Sequence, residues 1–173
     1  MERACRDARS ARANLEASID RLGSKPGTTR EQLARLSAVL ANSHRFIHAL
    51  MALGAIFSQQ PALANSPPFK RFMSKLETTL ALLASALRGI RVPAKDFPNL
   101  REVHRLMVQS RTSEANSALA RFDSINIEAD RITNSVNTLA EQIMQSTRTP
   151  EFAALHKRRL ELAAGEAEIQ SRS

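Results

Sequence analysis

His44 and His48 stand four residues apart, the spacing that puts two imidazoles on one face of a helix and lets them share a metal ion. The pair has little company. Cys5 is the only cysteine, His104 and His156 lie far along the chain, and the acids of the surrounding helix fall only at its start. Asp123, Glu128 and Asp130 are candidate catalytic carboxylates, but they fall on the polar side of a periodic helix, where acids normally aid solubility. Cys5 has no neighbouring histidine, and arginines around an exposed thiol lower its pKa only modestly. No Gly-rich phosphate loop occurs. These residues predict no enzyme, no cofactor and no metal centre.

The basic residues carry a second possibility. Lys plus Arg number 25 against 17 acids, a net charge of +8, which permits nucleic acid, an anionic membrane surface or simple solubility. Arg3, Arg6, Arg9 and Arg12 recur every three residues, so on a helix advancing 100° per residue they drift around the cylinder instead of lining one groove-binding face. Such a collar suits the cytoplasmic end of a membrane helix beside anionic lipid headgroups. It equally fits an ordinary solvated helix start. Lys157, Arg158 and Arg159 form a weaker cluster. No nucleic-acid partner is expected, although a free-standing basic bundle that binds nucleic acid or acidic proteins is the alternative, and its affinity would fall steeply with salt.

Length and composition define what must hold these residues in place. A chain of 173 residues supports one core. With 5 Gly, no Trp, no Tyr and 7 Phe, it is built for helices rather than strands. One cysteine closes no internal disulfide. The N-terminus is charged from its second residue, unlike a secretory signal, and the longest apolar run, from Phe46 to Phe57, is too short to span a bilayer.

Helical periodicity divides the chain. A first helix runs from Glu2 to Leu22 with Ala4, Ala8, Ala11, Leu15, Ile19 and Leu22 on one stripe, and Gly23 is expected as its left-handed cap. Thr28 and Glu31 have capping-box spacing for a second helix, whose face is Leu33, Leu36, Leu40, Ser43, Ile47, Leu50, Gly54 and Phe57. After a loop over 60–68, Ser66, Pro67 and Pro68 open a third helix buried through Phe69, Phe72, Met73, Leu76, Leu80, Leu83, Leu87 and Ile90. Its Leu80–Leu87 segment is a candidate apolar pocket for a small-molecule sensor. A turn over Val92–Pro98 leads to helix from Asn99 to Thr147, broken near Gln109–Ser113, with Ala115, Leu119, Phe122, Ile125, Ala129, Ile132, Val136, Leu139 and Ile143 inward. The expected fold is all-α, an elongated antiparallel bundle of four to five helices over 1–148, with a short C-terminal helix and frayed tail over 149–173.

One segment is more specific. Ala11, Arg12, Asn14, Glu16, Ala17, Ser18, Arg21, Leu22 and Pro26 stand in an order that resembles the helix following the last membrane span in the fusaric acid resistance protein-like family, which includes aromatic acid exporters. Beyond residue 26 the likeness is one of layout: a long Leu/Ala-rich helix, a Pro-containing loop and further helices. The resemblance implies a C-terminal cytoplasmic domain on the cytoplasmic side of a bacterial inner membrane, with Arg3, Arg6, Arg9 and Arg12 where the bilayer ends. It also implies regulation or assembly as the role, and contacts with the transmembrane and other cytoplasmic regions of a parent protein, with a homo-oligomer as a further partner. Asn14, Ser18 and Arg21 share one stripe at i, i+4, i+7 spacing, and with Glu16 they are the expected interface.

Overall fold

The computed structural model describes residues 2–59, 61–110 and 119–149. The fold is all-α. Six α-helices occur among the described residues: α1 (Glu2–Gly23), α2 (Arg30–Gln59), α3 (Pro61–Ala64), α4 (Pro67–Leu87), α5 (Leu100–Gln109) and α6 (Leu119–Ser146). The 30 residues of α2 and 28 of α6 give rods of about 45 and 42 Å at 1.5 Å per residue. These two helices set the length of the bundle.

α6 is the hub, touching α2, α5 and α4. Ile125, Ala129, Ile132, Val136, Leu139 and Ile143 are all buried, so the alternating three-and-four spacing of its seam is realised in the fold. Opposite them lie Ala49 and Leu53 of α2, Phe69, Phe72 and Leu76 of α4, and Leu100 and Met107 of α5. Neighbours run antiparallel along much of the bundle. Asn42 of α2 donates to Gln142 of α6 at 3.3 Å, and Arg101 and His104 of α5 reach Asp130 and Asn126 of α6.

Several local expectations change. Gly23 is not a left-handed cap, because the positive-φ glycines are Gly27 at 92° and Gly89 at 84°; α1 runs through Gly23, and the left-handed residue comes four positions later, at Gly27. The capping box uses Thr29 and Gln32 rather than Thr28 and Glu31. The Thr29 N–H donates to Gln32 Oε1 at 3.1 Å while the Gln32 N–H donates to Thr29 Oγ1 at 3.2 Å. The segment read as a loop over 60–68 holds the one-turn helix α3. Ala11 is exposed, so the alanine stripe of α1 is not a continuous contact.

α4 ends at Leu87 instead of continuing to Ile90. The Gly89 N–H donates to the Ala86 carbonyl at 2.9 Å and the Ile90 N–H to the Ser85 carbonyl at 3.1 Å, the paired bonds that close a helix on a left-handed residue. Leu87 and Ile90, read as buried, are 52% and 58% exposed: Leu87 is the last residue of α4, at the open end of the helix, and Ile90 lies past the turn, where the chain has left the helical path. The turn over 92–98 contains a short 3-10 segment, Ala94–Asp96. Asn99 caps α5 by accepting from the Glu102 N–H at 3.1 Å. A break does fall where it is expected: α5 ends at Gln109 and packs antiparallel to α6, and residues 111–113 of the expected break lie outside the described residues. Ala115 and the C-terminal helix and tail over 150–173 lie outside the described residues, as do the side chains of Ala4, Leu119 and Phe122.

Candidate functional site

α1 is an edge helix. It lies along α2, with Gly23 beside Leu33 at one end and Arg9 beside Met51 at the other, where the guanidinium donates to the thioether sulfur at 3.1 Å. Ile19 is its one fully buried side chain among the described residues; Leu15 and Leu22 are half-buried. This asymmetry is encoded locally, because the remaining positions of α1 are mostly Arg, Asp, Ser and Ala, which gain little from burial.

The collar arginines do not form one patch. Arg6 is exposed, Arg9 turns along α2, and Arg12 pairs with Glu16 at 3.7 Å within the helix; the Arg3 side chain lies outside the described residues. Asn14, Ser18 and Arg21 are brought together as their spacing requires. The Ser18 hydroxyl donates to the Asn14 carbonyl at 2.7 Å and accepts from Arg21 Nη2 at 3.1 Å. Asn14, Glu16 and Arg21 are exposed, so this wired edge faces away from the bundle.

Next to the collar, the rings of His44 and His48 meet edge to face with centroids 4.3 Å apart. The His44 pKa is lowered below its ordinary value, first by loss of water around the ring and then by the charges of Arg12 and His48, with Glu16 opposing. No group of three or more His, Cys, Asp or Glu residues able to hold a metal ion occurs among the described residues. Two of the candidate carboxylates on α6 are engaged in ion pairs, Glu128 with Arg131 at 2.7 Å and Asp130 with Arg101 at 2.7 Å; Asp130 also accepts from the Asn134 amide at 2.8 Å, and Asp123 is exposed. Asn134 in turn accepts from Arg101, so this network ties α5 to α6.

A groove of about 570 Å3 opens between α2 and α6, away from the Leu80–Leu87 segment where the sequence suggests an apolar pocket. From α2 it is lined by Arg45, His48, Ala49 and Ala52; from α6 by Glu128, Arg131 and Ser135. It exists because Ala49, Ala52 and Ser135 are too small to fill the space between two long helices. Asn42 anchors the helices at its edge through Gln142, and also donates to the Ala38 carbonyl at 3.0 Å. Arg45 makes no ion pair among the described residues.

Sequence reasoning missed this groove. Arg45 and Ser135 are 90 positions apart, and neither belongs to a motif. The only hint lay in Ala49 and Ala52, small residues within the longest apolar run. Among the described residues no helix is long and apolar enough to cross a membrane. No protein-family model matches this chain, and neither a curated protein nor a solved structure matches it.

Proposed function

We propose that this chain is a non-enzymatic regulatory or assembly domain lying on the cytoplasmic side of a bacterial inner membrane, as part of an exporter of aromatic acids or fusaric acid-like compounds. The resemblance of residues 11–26 to the post-membrane helix of that family motivates the reading. The observation that carries it is the placement of α1: it is fastened along one neighbour, α2, while Arg6, Asn14, Glu16 and Arg21 face outward. An edge helix of this kind can transmit the position of a preceding membrane span to the bundle without disturbing the core around α6. Its outward edge is available to other regions of the parent protein or to a second copy, and cations near its start are suited to anionic headgroups.

The native reading frame upstream of Glu2 tests this directly. Several in-frame apolar spans of about 20 residues each are expected. A frame that starts at Met1 overturns the proposal.

A further inference from the structure

We infer that the groove between α2 and α6 is a binding site for a small organic monoanion, with its carboxylate held at Arg45 and Ser135 and its hydrocarbon body lying on Ala49 and Ala52. Three observations converge. The first is Ser135, which is only 5% exposed and lines the groove, yet its hydroxyl has no hydrogen-bond partner among the described residues. Its neighbours on α6 behave differently: Thr133, Thr138 and Ser146 each donate to the carbonyl four residues back, at 2.8, 2.9 and 2.8 Å. The oxygen is not sealed inside the protein but open at the groove wall, so without that common partner it is placed to donate to an acceptor lying in the groove.

The second is charge. Arg131 is occupied by Glu128, whereas Arg45 has no ion pair among the described residues, so the walls carry one cation in excess. One carboxylate matches that excess. A dianion would meet the Glu128 carboxylate, which is mostly buried in the same wall. The third is shape: the volume falls in the range of small-molecule sites, and the alanine floor offers apolar contact that inorganic ions cannot use. This inference is independent of membrane attachment, so either can fail alone.

The test is an amide NMR titration of the full chain with cyclohexanecarboxylate, run beside its neutral counterpart cyclohexanecarboxamide and inorganic phosphate. Saturable shifts centred on 45–52 and 128–138 are expected with the carboxylate, and none there with the amide or phosphate. Arg45→Gln, at an exposed position, should weaken binding about tenfold by removing a charge-assisted bond, and Ser135→Ala about threefold by removing a neutral one, both with unchanged thermal melting. Absence of groove shifts, equal binding of the amide, phosphate binding as well as the carboxylate, or unaltered affinity in Arg45→Gln would each overturn the site.

Discussion

Thr29 shows how a single side chain sets the register of a helix. The run Thr28-Thr29-Arg30-Glu31-Gln32 offers two overlapping capping boxes, Thr28 with Glu31 and Thr29 with Gln32. The second is used, because the turn before it holds Thr28: its N–H donates to the Lys25 carbonyl at 3.3 Å, with Gly27 at positive φ. Thr29→Ala is therefore expected to cost about 1 kcal/mol, and Thr28→Ala close to nothing. Urea denaturation of the two variants separates them, and equal losses would return the cap to Thr28. That a cap lay here was legible in residue types alone; which threonine serves was not, since both boxes have equal spacing.

At the scale of elements, α4 marks the point where periodicity stops being informative. Its Leu and Phe residues keep helical spacing through Ile90, but the spacing does not reveal that Gly89 ends the helix first. A left-handed residue can close helical carbonyls only where a side chain does not obstruct it, and Gly89 takes that place at φ 84°. The consequence is sharp across one turn. Leu83, 4% exposed, should unfold the bundle when changed to Asp, because an unpaired charge would be buried. Leu87→Asp, at the exposed C-terminal end of the same helix, should retain the wild-type melting temperature within a few degrees, about what a surface change costs. Far-UV circular dichroism on heating reads both outcomes, and a folded Leu83→Asp would refute the core placement. The same logic explains the face of α2. Leu33, Leu36, Leu40 and Ile47 are only half-buried, because α2 lies between α1 and α6 and divides its apolar surface between them, with Asn42, Ala49 and Leu53 fully buried.

For the molecule as a whole, unequal attachment predicts unequal stability. α6 contacts three helices and carries Ile125, Ala129, Ile132 and Val136 without exposed surface, whereas α1 is held on α2 and fully buries Ile19 alone among its described side chains. Local opening is least costly where few apolar contacts must be broken. Native-state hydrogen exchange should find the amides of α1 at least about tenfold less protected than those of central α6, a difference of about 1.4 kcal/mol in opening free energy. Uniform protection of the two helices would show that α1 is integral to the core. A dissociable α1 also leaves room for the role proposed for it, as the element through which movement outside the bundle reaches α2.

By itself the sequence determined the helical class, the seam of α6 and the approximate breaks, because these depend on propensity, capping and residues three or four positions apart. Tertiary structure alone decided that α1 stands at the edge, that α2 has two buried faces, and that Arg45 and Ser135 share a groove. Those facts arise from packing between residues tens of positions distant, where the size of Ala49 against α6 sets the space left open, and no local pattern records which helices will meet.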